Sequence, residues 1–207
     1  MSATWVLSRA TGVVSLLLLT LVVVLGVAVN RQARLPGLPR FAVADLHRNA
    51  ALLSVSLLAV HVATVVYDPY VTVRWVDALV PFVSSYLPFW LGLGALALDL
   101  LLAVVLTSLL RLSMPRRTWR SVHWLAYAAW PVAVVHGLGT GPDLRAGSFL
   151  LLTVGCVAAV LTAVGWRVRA AARAIPAGQR AAALHAALRH TPSGAGTRPP
   201  APLSRTR

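Results

Sequence analysis

The sequence predicts an all-α, polytopic membrane protein built as a bundle of about five transmembrane helices. Three observations predict it. Of 207 residues, 58% are hydrophobic and only 12% charged, with a mean hydropathy of +0.75, which excludes an ordinary soluble domain. The apolar residues fall into five stretches of about 20 residues, the length a helix needs to cross a hydrocarbon layer roughly 30 Å thick. The charge between the stretches is almost all arginine and alternates between the two sides.

The first span, residues 5–29, contains Arg9 as its only charge. It lacks a basic n-region, and its apolar run exceeds the 7–15 residues usual for the core of a signal peptide, so it is expected to stay in the membrane. The second span, 46–66, carries His47 and His61. Residues 68–86 mix Val71, Trp75, Leu79 and Phe82 with few charges and are broken by Pro69, Pro81 and Pro88; this connection is expected to lie on the outer membrane surface or to cap the bundle. The third span, 87–110, holds Asp99 near its middle, where a carboxylate must be protonated, paired or part of a proton path. The fourth, 119–138, carries His123, Pro131 and His136. The fifth, 148–166, contains Cys156, the single cysteine, which excludes an intrachain disulfide and a thiolate cluster. Trp75, Trp119, Trp124 and Trp166 are placed as interfacial anchors. The bundle domain is assigned to 1–168. Residues 169–207, rich in Arg, Ala and Pro, have the composition of a largely disordered tail, with helical character around 179–190 and with His185 and His190 read as solvated.

Arginine sets the expected orientation. The chain has 19 basic residues and five acidic ones, with no lysine and no glutamate. Arg31, Arg34, Arg40 and Arg48 surround the first connection, Arg111, Arg116, Arg117 and Arg120 the third, and eight arginines follow the fifth span; only Arg9, Arg74 and Arg145 fall on the other side. This asymmetry places the N-terminus outside and the tail in the cytoplasm. It also accounts for the +14 net charge without a nucleic-acid partner, and membrane lipid is the partner it implies.

The histidines carry the chemistry. His47 and His61 are fourteen residues apart and His123 and His136 thirteen, or roughly 21 and 20 Å along a helix. Fourteen residues return to within about 40° of the starting face, whereas thirteen miss by about 140° on an ideal helix. Pro131 is expected to kink the fourth helix and correct this phase. The second and fourth helices run the same way, so His47 meets His123 near the cytoplasmic face and His61 meets His136 near the outer face. An imidazole in lipid is costly unless something binds it, and two haems, each gripped by one histidine from each helix, satisfy all four. Two axial histidines leave haem iron no open position, so the expected chemistry is electron transfer. Arg9, one turn into the first helix, is a candidate partner for an outer haem propionate; Arg48, Arg116, Arg117 and Arg120 are candidates for the inner propionates.

The chain resembles the ferric reductase-like transmembrane domain shared by ferric reductases, NADPH oxidases and the haem subunit of the bacterial periplasmic methionine sulfoxide reductase system. The resemblance is carried by WVLSRATG at 5–12, LHRN at 46–49, HVAT at 61–64, DPY at 68–70, LVPF at 79–82, TS..R at 107–111, WRSVHWLAY at 119–127 and HG at 136–137. It implies two b-type haems on the four histidines and an arginine facing the outer haem, which maps onto Arg9. The tail shows no GxGxxG-like motif, so no FAD or NAD(P) site is expected in this chain and the electron donor is expected to be a separate flavoprotein or a membrane quinol. The resulting expectation is a cell-membrane protein, in a bacterial plasma membrane, that passes electrons to a ferric chelate, oxygen or an external reductase. The alternatives are a non-catalytic subunit that scaffolds a partner reductase and a small proton-coupled transporter. A reporter fused after Arg207 is predicted to be active only as a cytoplasmic fusion; periplasmic activity would reverse the assigned orientation.

Overall fold

A computed structural model describes residues 2–30, 39–141 and 147–189. Arg31, Arg34, Arg145, His190 and the end of the tail lie outside these residues. Every regular element among the described residues is helical: α1 (Ala3–Asn30), α2 (Arg40–Val66), α3 (Trp75–Leu79), α4 (Pro88–Leu109), a 3₁₀ turn (Arg111–Ser113), α5 (Arg116–His123), α6 (Leu125–Thr140) and α7 (Gly147–Arg189). Compact structure divides into two units, Met1–Arg167 and Val168–Arg207, and the described part of the second is the continuation of α7 to Arg189.

Four helices are long and apolar enough to cross a membrane: α1, α2 from Phe41, α4, and α7 over Gly147–Ala171. The fourth span of the sequence reading is instead two helices. Its chain breaks at Trp124, where the Tyr127 N–H donates to the Trp124 carbonyl at 3.0 Å, a tight i to i+3 closure. α6 then runs unbroken through Pro131. The interruption therefore lies beside His123 and not at the proline. α6 alone is 16 residues, about 24 Å, and needs α5 to complete a crossing.

The helices pack as two hairpins. α1 lies along α2 and α4 along α6, with α1 also crossing α6. Leu19 and Val23 of α1, Trp130 and Val134 of α6, and Cys156 and Val160 of α7 form the main buried cluster. The interior also takes small polar residues, among them Ser8, Thr11, Ser15, Thr20 and Thr153, while Leu52, Leu106, Leu151 and Leu161 face outward. This inside-out distribution is the one lipid favours, since small side chains let helices approach and leucine costs nothing at a hydrocarbon surface. Most of the hydroxyls bond back to their own helix, as Thr11 does to the Leu7 carbonyl at 2.7 Å and Thr107 to Ala103 at 2.7 Å, which meets their donors inside the bundle; Ser15 Oγ is buried without a partner among the described residues.

The 67–87 connection caps one end. Its α3 is closed by Asp77, which accepts from the Arg74 backbone N–H at 2.9 Å and from its guanidinium at 2.8 Å, and those Arg74 contacts hold the Asp77 carboxyl below the usual carboxylate range. Asp68 accepts from the Tyr70 N–H at 2.9 Å and from the Thr4 and Ser2 hydroxyls at 3.0 and 3.1 Å, with the Tyr70 bond leading the same downward shift. These bonds tie the start of α1 to the end of α2. Phe82 adopts a left-handed φ of 68°, strained for a residue with a side chain, and its ring occupies the space a Cβ on Gly92 would need.

Trp130 Nε1 donates to Thr20 Oγ1 at 2.9 Å in the buried contact between α6 and α1. Thr20→Val removes that acceptor and is predicted to destabilise the bundle by about 1 kcal/mol in detergent unfolding, while Thr20→Ser keeps wild-type stability. Equal stability of all three proteins would show that this bond does not hold α1 to α6.

Candidate functional site

The four histidines converge as the sequence predicts, and three of them are seated by one repeated device. His61 Nδ1 donates to the Ser8 carbonyl at 2.8 Å, His47 Nδ1 to the Val22 carbonyl at 3.0 Å, and His136 Nδ1 to the Trp90 carbonyl at 2.8 Å. Four residues after each carbonyl comes a glycine: Gly12, Gly26 and Gly94. In an α-helix the carbonyl of residue i already accepts from the N–H of residue i+4. A side chain at i+4 would crowd a second donor approaching the same oxygen. A Cβ on Gly12 would lie 2.9 Å from His61 Cε1, on Gly26 3.3 Å from His47 Cε1, and on Gly94 2.6 Å from His136 Cε1. The glycines are therefore the openings through which the imidazoles reach helix carbonyls. Because α1 and α2 are antiparallel, Gly12 and Gly26 match His61 and His47 with the same fourteen-residue interval.

A carbonyl only accepts, so each of these histidines carries its proton on Nδ1 and leaves Nε2 with a free lone pair. That is the arrangement found behind metal-ligating histidines, where an outer hydrogen bond sets tautomer and ring plane.

His123 differs. Its Nδ1 is buried without a hydrogen-bond partner among the described residues. The ring is held by Trp119, stacked at 4.9 Å between centroids and 28° between planes, so Trp119 is a packing partner of the site as well as an interfacial residue. Thirteen residues along α4 from Gly94 stands Thr107, not a glycine.

His47 and His123 face each other with ring centroids 6.4 Å apart and planes at 62°. Two imidazoles that share one metal, each through a bond of about 2 Å, have centroids about 6 Å apart, so the spacing fits a single ion between the rings. His136 and Arg9 both lie within electrostatic reach of His61, and Arg9 within reach of His136. The pairing is thus His47 with His123 and His61 with His136, on helices that run in parallel. Trp124 itself keeps helical φ and ψ of −65° and −21°, so α6 follows directly on α5 through the break. Among the described residues, α2 and α6 make no extended contact with each other; the histidines bridge the space between them.

No cluster of three or more His, Cys, Asp or Glu side chains exists among the described residues. A bare ion would be under-coordinated by two imidazoles. A group that brings further ligands of its own, as haem does, would suit the His47–His123 pair.

Arg9 Nη2 donates to the Thr140 carbonyl at 3.1 Å, where the C-terminal end of α6 carries partial negative charge, and its guanidinium lies 5.3 Å from the Trp5 ring centroid. Asp99 makes no hydrogen bond or ion pair among the described residues and joins neither histidine pair. Cys156 is buried in the core. Trp124 is exposed and lies under Arg167, whose guanidinium carbon is 4.4 Å from the ring. His185 is exposed.

Residues 11–134 match the family model described as the ferric reductase like transmembrane component, a stretch that holds His47, His61, His123 and all three site glycines. Comparisons with curated proteins and with solved structures returned no match.

The glycine contacts generate a graded prediction. Gly→Ala in a helix gains up to about 1 kcal/mol of propensity, whereas a forced overlap costs about 1–3 kcal/mol. Gly94→Ala and Gly12→Ala are predicted to be destabilising in detergent unfolding, and Gly26→Ala, with its looser contact, near neutral or stabilising. Equal behaviour of the three would remove the glycines as histidine seats.

Proposed function

This chain belongs to the ferric reductase like transmembrane component family, and we propose that it is a dihaem b-type cytochrome carrying electrons from a cytoplasmic donor to an acceptor outside the membrane. As a multi-pass membrane protein of that family it is a membrane electron-transfer component. The finer reading rests above all on the 6.4 Å separation of His47 and His123, supported by the Nδ1 bonds that leave the other nitrogen of His47, His61 and His136 with a lone pair to offer. In the proposal His47 and His123 hold the inner haem, and His61 and His136 the outer one. Haem, when bound, supplies reversible one-electron exchange at iron.

The chain's own residues do the rest. The carbonyl bonds fix three of the four imidazoles in one tautomer and plane, which limits reorganisation during electron transfer. The apolar walls of α1, α2, α4 and α6 keep water from the path. Arg9 adds a positive charge beside His61 and His136, where a propionate would be compensated in a low-dielectric site. The donor is a separate flavoprotein or a quinol, and the acceptor a ferric chelate, oxygen or an external reductase. The arginine distribution supports a plasma-membrane protein with the His47–His123 end inside.

A pyridine haemochrome assay on purified protein is predicted to return two haems per chain. His61→Ala and His47→Ala are each predicted to return one, with the remaining pair still showing reduced b-type bands. One haem or none in the wild type, or loss of both in each single variant with the fold intact, would overturn the proposal.

A further inference from the structure

We propose that the arginine face of α5 is the docking site for an acidic one-electron carrier protein, with Trp119 providing the path from that face toward His123. The inference rests on the dihaem reading of His123 and identifies the surface and the chemistry of the donor.

At about 100° per residue, Arg117 and Ser121 lie roughly opposite the Trp119–His123 side of α5, and Arg116 and Arg120 lie between, on the flank next to His123. α5 packs on α4. Arg116, Arg117, Arg120 and Ser121 are exposed and border an open cleft of about 480 Å³. Among the described residues no carboxylate pairs with these arginines; the ion pair seen there is Arg74 with Asp77. The N-cap is Pro115, with no side-chain cap, so the free N–H groups of the first turn add partial positive charge to the same surface. Cations in a first helical turn oppose the helix dipole. A covering anionic surface relieves both.

The other side of the helix leads inward. Trp119 stacks on His123 at 4.9 Å, its indole nitrogen is buried without a partner, and the guanidinium carbon of exposed Arg111 lies 5.8 Å from the centre of its ring. The arginines and His123 all belong to the two turns of α5. A lipid headgroup could neutralise the arginines, but it would make no use of an aromatic ring continuous with a site histidine. A carrier with an acidic face would be steered and oriented by the arginines and would deliver its electron where the protein is thinnest. In that step one electron leaves the reduced carrier, which is oxidised by one electron, and arrives at the group held by His47 and His123. No bond or proton of this chain changes.

The test uses the full chain in phosphatidylcholine vesicles, with an acidic plant-type ferredoxin as probe. Oxidised ferredoxin should co-sediment with the vesicles and be released by salt, a measurement that needs no haem. Arg117→Gln combined with Arg120→Gln, which leaves Arg111 and Arg116 to maintain orientation, should weaken that binding on the order of tenfold. In stopped-flow mixing, Trp119→Leu should bind ferredoxin as the wild type does yet accept its electrons on the order of tenfold more slowly, and Trp119→Phe should restore most of the rate, since it keeps a stacked ring. Haem content and the extent of dithionite reduction are measured for every variant, and each ferredoxin rate is expressed per reducible haem, because Trp119 also seats His123. Absence of salt-dependent binding to the wild type, or binding unchanged by the arginine replacements, overturns the docking site. Tight retention of added phosphatidylglycerol that depends on Arg117 and Arg120 and blocks ferredoxin also overturns it, in favour of a lipid site. A wild-type rate in Trp119→Leu overturns the path. Missing haem bands in the wild type would sink the dihaem reading and the path with it, while the binding result would still decide the docking surface.

Discussion

The Nδ1–H bond from a histidine to a helix carbonyl exposed by a glycine is the constraint on which the bundle depends. A membrane interior offers no water to satisfy an imidazole, so both ring nitrogens need partners supplied by the protein or by something the protein holds. In His47, His61 and His136 one nitrogen is satisfied by Val22, Ser8 and Trp90. That choice draws α2 against α1 and α6 against α4, because the donor and its carbonyl sit on different helices in every case. Two helical hairpins follow, each with a histidine helix and a glycine helix.

The two ends of the bundle are not equivalent. Both members of the His61–His136 pair are tied to carbonyls, and Arg9 reaches across to the end of α6 at Thr140. In the His47–His123 pair only His47 is tied; His123 is positioned by a stacked indole at a helix break. A hydrogen bond to Nδ1 makes an imidazole a stronger ligand, and a ring held by stacking has more freedom to turn. One end thus has both imidazoles tied to carbonyls, and the other, nearest the arginines of α5, has one imidazole tied and one stacked.

Much of this was legible in the sequence. Four of the five apolar stretches are helices long and apolar enough to cross a membrane, because lipid demands long helices and leaves composition little freedom; the other is α5 and α6. The parallel course of the histidine helices and the pairings His47–His123 and His61–His136 followed from counting spans. The phase problem at thirteen residues was visible too, but its solution was assigned to Pro131. The break at Trp124 has no proline or glycine to announce it, and a membrane helix can carry an internal proline when its surroundings satisfy the freed carbonyl. α2 also begins at Arg40, ahead of the expected 46, because FAVAD after Pro39 is long enough to complete further helical turns. The glycine seats were overlooked, although Gly12 and Gly26 repeat the fourteen-residue interval of the histidines. Their meaning depends on which helices are neighbours, a tertiary fact that no single-helix pattern contains. Trp119 was read as an anchor for the same reason.

The central claim is that four imidazoles act as two bis-histidine pairs. Near-infrared magnetic circular dichroism of the fully oxidised protein tests it most directly, because the charge-transfer bands of ferric haem report both axial ligands. The account predicts low-spin, bis-imidazole signatures for all of the haem in the sample, in an amount corresponding to two centres per chain. High-spin ferric haem, a mixed imidazole and water signature, or a single bis-imidazole centre in fully loaded wild-type protein would contradict it.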